Sequence, residues 1–184
     1  MQMVLQDKHN MLYRLVLDAM LVSVALILSY IESFIPLSFL YIVPGLKLGL
    51  ANIPVVFAVY NLSVRDGIAV AAMKIALTAL LFGSPVSFLF SLMGTVFSLT
   101  IMISLKKFFT KKKLTFIGVS CICAAFFNIG QLTAAAFIFK SLSPLFYLPS
   151  LIIGGAIFGI LCGVLLNLTS ALLQNRRCFR QFKH

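Results

Sequence analysis

The stretch Tyr41-Ile-Val-Pro-Gly-Leu-Lys-Leu-Gly-Leu-Ala-Asn-Ile-Pro-Val-Val-Phe-Ala-Val-Tyr60 decides how the chain is organised. It is apolar enough to enter a membrane, but it contains the charged Lys47 and the polar Asn52. Two prolines and two glycines also interrupt it, namely Pro44, Gly45, Gly49 and Pro54. Irregular backbone and charge are tolerated at membrane depth only where protein or a watery cavity surrounds them. The stretch therefore predicts half of a binding site on a broken second transmembrane helix.

The composition of the whole chain is that of a membrane protein. Its 184 residues are 61% hydrophobic and 10% charged, with a mean hydropathy of +1.10, whereas a soluble domain carries about 25% charged residues. At roughly 20 residues per span, this length allows about six spans with short loops. We therefore predict an all-α membrane protein, a bundle of six transmembrane helices that crosses the cell membrane repeatedly.

Apolar segments divide the chain into a transmembrane domain and two tails. We predict a polar N-terminal tail at residues 1–11, a transmembrane domain at 12–174 and a basic C-terminal tail at 175–184. The predicted spans cover about 12–31, 44–62, 65–82, 86–105, 114–139 and 148–173. In the last span, the spacing Gly155-x3-Gly159-x3-Gly163 predicts a groove in which a neighbouring helix lies close.

The formal charge of +11 is explained by membrane topology and not by nucleic-acid binding. Lysines crowd the loop between the fourth and fifth spans, and basic residues crowd the C-terminal tail, as expected of cytoplasmic flanks. Attraction to anionic lipid headgroups accounts for the remainder. The residues concerned are Lys106, Lys107, Lys111, Lys112, Lys113, Arg176, Arg177, Arg180 and Lys183. Both termini are therefore predicted to be cytoplasmic.

Two lysines within spans indicate a pocket for an anion. Lys74 lies about 12 Å along a helix from Asp66, too deep to reach the membrane surface easily. Lys47 is expected in the first turn of its helix, where backbone N–H groups and the helix dipole favour an anion. With Glu32 nearby, these lysines would line an outward-facing pocket and take the charge of an anionic ligand. In the alternative, structural interpretation, one lysine pairs with Glu32 and the other reaches the interface.

Amide side chains would complete this pocket. Asn52, Asn128 and Gln131 are candidates to orient the ligand, and Tyr41 is assigned to the pocket mouth. Asn128 and Gln131 are three residues apart and share a helix face. For these two, ligand binding and an interhelical hydrogen bond both remain open.

No catalytic residue, cofactor or metal site is predicted. The two histidines lie in the terminal tails, and the four cysteines lack the C-x2-C spacing of a zinc site. The chain contains no nucleophile elbow, Walker sequence or dinucleotide fingerprint. We therefore expect a protein that is not an enzyme, and ATP-driven work would need another subunit.

Three stretches resemble a bacterial membrane family known both as the Gx transporter family and as heptaprenyl diphosphate synthase component I. They are Pro44-Gly-Leu-Lys-Leu-Gly-Leu-Ala-Asn-Ile53, Met73-Lys-Ile-Ala-Leu-Thr-Ala-Leu-Leu-Phe-Gly83 and Asn128-Ile-Gly-Gln-Leu132. That family is similar to the substrate-binding S-components of energy-coupling-factor (ECF) transporters, which have six helices and bind vitamins or related micronutrients from outside. The resemblance implies a small binding subunit that docks on a membrane coupler driven by two ATPases.

The resemblance also bears on individual residues. The small side chains Ala19 and Ser23 on the first span are similar to the surface that S-components use for docking, although alanine is favoured at both positions. Relatives commonly carry a histidine where this chain has Phe127, and an arginine where it has Lys74. A lysine keeps the charge but loses the bidentate geometry of arginine.

Two functions from different classes follow. The first is an S-component-like subunit that captures a small, anionic, vitamin-like solute at Lys47, Asn52 and Lys74. The second is a non-catalytic membrane subunit that serves polyprenyl diphosphate or quinone synthesis, or a membrane redox chain. Prenyl condensation itself needs clustered carboxylates that hold magnesium. The chain has four acidic residues and no Asp-x-x-Asp pair, so it is not expected to be the catalytic subunit.

Overall fold

The described part of the chain is almost entirely helical. The computed structural model describes residues 2–34, 47, 49–82, 85–110 and 115–174, with side chains between 11 and 169 except at 82, 107–110 and 145. Within these ranges the helices are α1 Gln2–Phe34, α2 Leu50–Leu62, α3 Val64–Phe82, α4 Pro85–Thr110, α5 Phe116–Phe139 and α6 Leu148–Gln174. A short 3-10 turn, Ser143–Tyr147, precedes α6.

Four helices of the described ranges are long and apolar enough to cross a membrane, and the protein is therefore membrane-embedded. They are Met11–Phe34, Pro85–Lys106, Phe116–Phe139 and Leu148–Thr169. The remaining two predicted spans do not meet this criterion. Helix α3 carries Arg65, Asp66 and Lys74 within one 18-residue window. Helix α2 is about 20 Å long at 1.5 Å per residue, against roughly 30 Å for the hydrocarbon core.

Helix boundaries agree with the sequence for α3 to α6 but differ at the start of the chain. Helix α1 begins at Gln2, so the segment predicted as an N-terminal tail is helical. Lys47 and Gly49 are not helical, and the expectation that Lys47 lies in the first turn of a helix is wrong. Gly49 has a φ angle of 89°, a left-handed conformation, and the right-handed helix begins only after it. The tail at 175–184 lies outside the described residues.

Helix α2 changes its hydrogen-bonding pattern along its length. It opens with a 3-10 turn, Leu50–Asn52, continues as an α-helix, Ile53–Phe57, and ends as a π-helical turn, Ala58–Leu62. Pro54 lies in the first turn of the α-helical part, where its missing N–H is no loss. It therefore helps to start the helix and does not interrupt it.

Close helix packing around α5 depends on glycines. A Cβ atom on Gly159 would lie 2.7 Å from Cys121 Cα, and one on Gly163 would lie 2.4 Å from Ile117 Cα. The predicted glycine groove of α6 is thus confirmed, and α5 occupies it. On the other side of α5, a Cβ atom on Gly130 would lie 2.6 Å from the Met93 carbonyl oxygen of α4.

Two buried apolar clusters flank the polar middle of α5. The larger cluster surrounds α2 and includes Val59 and Cys123. The smaller cluster joins α4, α5 and α6 through Phe90 and Leu132, among others. Along α5, the buried Asn128 and Gln131 fall between Cys123 of the larger cluster and Leu132 of the smaller one.

Candidate functional site

The N-terminus of α2 is capped by a carboxylate from another helix. The backbone N–H of Gly49 donates a short hydrogen bond to Oε1 of Glu32, which lies in the last turn of α1. A negative charge is favourable here because the first N–H groups of a helix have no partners within it. The position that the sequence predicts for a ligand anion is therefore taken by the protein's own Glu32.

The opposite end of α2 is capped by a cation. Lys106 Nζ, from α4, donates a 2.6 Å hydrogen bond to the carbonyl oxygen of Val59. Val59 lies in the π-helical turn, where carbonyl groups near the helix end are available to such donors. This short helix, with most of its side chains buried, is thus held between charges from α1 and α4 that complement its dipole.

Lys74 is buried at the centre of the site, with 2% of its surface exposed. Its Nζ donates a 2.6 Å hydrogen bond to Asn52 Oδ1, which joins α3 to α2. The same Nζ lies 5.8 Å from the ring centroid of Phe127 on α5, within the range of a cation–π interaction. Three helices therefore meet at one ammonium group.

Lys47 is anchored through its backbone by Gln131. The Lys47 N–H donates to Gln131 Oε1 at 3.1 Å, and Gln131 Nε2 donates to the Lys47 carbonyl oxygen at 3.1 Å. This reciprocal pair fixes the non-helical segment before α2 against α5. The Lys47 side chain itself is half-buried.

Asn128 faces a different neighbour, although it shares a helix face with Gln131. Its Nδ2 donates a 2.7 Å hydrogen bond to the carbonyl oxygen of Leu151 on α6. Among the described residues, its Oδ1 atom has no hydrogen-bond partner. Both amides thus bond to other elements of the fold, Gln131 to the segment before α2 and Asn128 to α6.

The charges of the site do not balance. Both Lys47 and Lys74 interact electrostatically with Glu32, so the two lysines share one carboxylate. Lys74 does not reach the interface, because it is almost fully buried. With all three groups ionised, the site has one positive charge in excess.

A small cavity adjoins this cluster between α2, α5 and α6. Its volume is about 20 Å³, enough for about one water molecule. The lining includes Gly49, Asn52, Ser120, Cys123, Phe158 and Cys162. A solute larger than water can enter only after these elements separate.

The structure brings most of the predicted site residues together. Glu32, Lys47, Asn52, Lys74 and Gln131 form one connected group of hydrogen bonds and electrostatic contacts. Asn128 lies beside this group and bonds to α6. Tyr41 lies outside the described residues.

The predicted docking residues lie away from the site. Ala19 and Ser23 are both exposed on α1, and Ser23 Oγ donates a 2.9 Å hydrogen bond to the Ala19 carbonyl oxygen. A second small-residue pair on the same helix, Ala25 and Ser29, is buried. The first pair therefore lies on an exposed part of the α1 surface, and the second pair lies on a buried part.

Sequence reasoning missed the role of Phe127. Its ring contacts Lys74, and it also lies against Gly49 and Gly94, where added Cβ atoms would approach it to 3.1 and 2.7 Å. The available signal was the pair of glycines, Gly94 on α4 and Gly130 on α5, that lets these helices approach closely. In a chain with 18 phenylalanines, the aromatic residue itself did not stand out.

Comparison with known proteins agrees with this description. No curated protein and no solved structure matches the chain. One family model, described as heptaprenyl diphosphate synthase component I, matches residues 21–169. The matched range contains every described residue of the candidate site. The chain therefore belongs to the heptaprenyl diphosphate synthase component I family.

Proposed function

We propose that the protein is an S-component-like membrane subunit that binds a small anionic solute, such as a vitamin or related micronutrient, for uptake. In this proposal the chain crosses the cell membrane six times, with α2 and α3 included, and both termini are cytoplasmic. It contributes binding only. A separate membrane coupler with ATPase subunits supplies the energy, and the exposed face of α1 at Ala19 and Ser23 is where the coupler docks.

One observation carries the proposal: a buried, connected cluster in a membrane protein holds two lysines and one carboxylate at the start of a short helix. Ionisable side chains at membrane depth are costly and mark ligand or ion sites unless they are fully paired. Discontinuous helices in transporters place their ends at such sites. A bound monoanion would neutralise the excess positive charge.

Each residue of the cluster has a separate role in the proposed binding. Lys74 and Lys47 would hold the anionic group, while Asn52 and Phe127 orient the Lys74 ammonium. Gln131 keeps the Lys47 segment in register with α5. Because the adjoining cavity holds about one water molecule, binding must be accompanied by a separation of α2 from α5 and α6.

Native mass spectrometry of the gently solubilised protein tests this proposal. We expect a coupler, ATPase subunits and a small polar metabolite to co-purify with the wild type. The Lys47→Met/Lys74→Met double variant should lose the metabolite, whereas Lys140→Met, at an exposed lysine after α5, should keep it. Retention of the metabolite by the double variant would refute the assignment of the site.

A second candidate function is that of a non-catalytic membrane subunit for polyprenyl diphosphate or quinone synthesis, or for a membrane redox chain. The description of the matching family supports it. The same experiment separates the two candidates. A co-purifying prenyl synthase, redox protein or prenylated quinone would favour the second, and Lys47 and Lys74 would then have a structural role.

A further inference from the structure

The two oxygens of the buried Glu32 carboxylate have different surroundings among the described residues. Glu32 has 3% of its surface exposed. Its Oε1 accepts the hydrogen bond from Gly49, while its Oε2 has no hydrogen-bond partner within the described ranges. A buried acceptor without a donor is destabilising and unusual in native proteins. Capping of the α2 N-terminus thus explains the hydrogen bond at Oε1, but it leaves Oε2 without a partner among the described residues.

A second unused acceptor lies nearby. Asn128 has 2% of its surface exposed, and its amide orientation is determined by Leu151, whose carbonyl oxygen can only accept. The amide oxygen of Asn128 is consequently left without a partner among the described residues. One cavity connects the two acceptors. Gly49, which is bonded to Glu32, and Ala124, one helical turn before Asn128, both line the cavity between α2, α5 and α6. The two acceptors therefore lie at residues that border the same cavity.

We propose that the solute is a carboxylate that also carries N–H groups, which donate hydrogen bonds to Glu32 Oε2 and Asn128 Oδ1. This inference rests on the proposed function. The carboxylate of the solute interacts with Lys47 and Lys74, and its amine or amide interacts with the two unused acceptors. A simple anion would satisfy the lysines but would leave both acceptors buried and unpaired.

Matched pairs of small molecules test the inference on the full-length protein in lipid nanodiscs. The probes are 3-aminobenzoate against 3-methylbenzoate, and 4-aminobenzoate against benzoate, all of them monoanions at neutral pH, with the dissociation constants measured by calorimetry. Each pair shares its carboxylate and differs by an amine. Because hydrogen bonds to charged groups are strong, we expect the amine-bearing member to bind at least about 10-fold more tightly.

The variant Glu32→Gln isolates the contribution of Oε2. Glutamine retains an oxygen that can accept from Gly49, but it places an NH2 group at the other position. The preference for the amine should fall by at least about 3-fold in this variant, because only Asn128 Oδ1 still accepts, while the parent acid binds as well as before or better. Asp18→Asn, which neutralises the other described carboxylate of α1, should leave the preference unchanged.

Three results would overturn the inference: equal binding within both pairs, an amine preference that is undiminished in Glu32→Gln, or no binding of any probe at its solubility limit. The comparison within pairs needs only the wild type, so it stands even if Glu32→Gln fails to fold. If both members of a pair bind equally and Lys74→Met abolishes their binding, the proposed function survives and only the N–H donors are refuted.

Discussion

Replacing Asn52 by leucine should destabilise the protein by about 2–4 kcal/mol, because it deprives the buried Lys74 ammonium of its hydrogen bond. The bond from Lys74 Nζ to Asn52 Oδ1 is 2.6 Å long, and both side chains are buried. A neutral interhelical bond in a membrane contributes about 0.6 kcal/mol on average. Removing one partner of a buried charged pair costs about 3–5 kcal/mol. Lys74 retains Glu32 and the Phe127 ring, so the expected loss lies between these limits.

A double-mutant cycle separates this interaction from general damage to the core. Lys74→Met removes the charge, and the double variant Asn52→Leu/Lys74→Met removes both groups. In the double variant the Lys74 ammonium is already absent, so the change of Asn52 to leucine no longer leaves it without a hydrogen-bond partner. Its destabilisation should therefore be smaller than the sum of the single effects by at least about 1 kcal/mol.

The assay is equilibrium unfolding of the full-length protein in lipid bicelles, measured by steric trapping. Thr100→Val serves as a control, because the hydroxyl group of this exposed threonine donates to the Val96 carbonyl oxygen of its own helix, at 2.8 Å, and joins no second helix among the described residues. It should change the free energy of unfolding by less than about 0.5 kcal/mol. Strictly additive single effects, or an Asn52→Leu variant as stable as Thr100→Val, would show that Lys74 does not depend on Asn52.

Three further predictions concern packing, helix capping and topology. Gly163→Ala would place a Cβ atom 2.4 Å from the α5 backbone, and the forced separation of the helices should cost about 1–3 kcal/mol in the same unfolding assay; a variant as stable as the wild type would contradict the close packing. Lys106→Met removes the cation bonded to a carbonyl at the end of α2 and should cost about 1–2 kcal/mol, while the exposed Lys140→Met should have no measurable effect; equal losses would contradict a capping role. In a cysteine-free background, an impermeant maleimide should label Ser141→Cys on intact cells and Lys111→Cys only after permeabilisation, and the reverse pattern would invert the proposed orientation.

Hydrophobic length was enough to predict most of the helices. The predicted spans at 65–82, 86–105, 114–139 and 148–173 agree with α3 to α6 to within a few residues, apart from the longer C-terminal end of α4. This agreement has a simple cause, because backbone groups in lipid must be satisfied within the helix and the apolar run therefore sets its length. The glycine spacing of α6 was also informative, since it restricts which surface another helix can approach.

Helix ends and side-chain directions were harder to predict, since they depend on residues distant in sequence. The rule that a helix N-terminus attracts an anion was correct, but the anion is Glu32, 17 residues before its hydrogen-bond partner Gly49. Local sequence does not reveal such a cap. Likewise, Gln131 and Asn128 share a face of α5 but bond to different elements, because Gln131 lies against the segment before α2 and Asn128 lies against α6.

The balance of charge, in contrast, could be predicted without any geometry. Only Glu32 was available to compensate Lys47 and Lys74 on the outer side of the predicted topology. Folding brings these three groups into one cluster but adds no second described carboxylate to it. The excess of positive charge is thus a property of the sequence, while the two unused acceptors are a property of the fold. The ligand that we propose, an anion with hydrogen-bond donors, would satisfy both, and it is a narrower class than either observation defines alone.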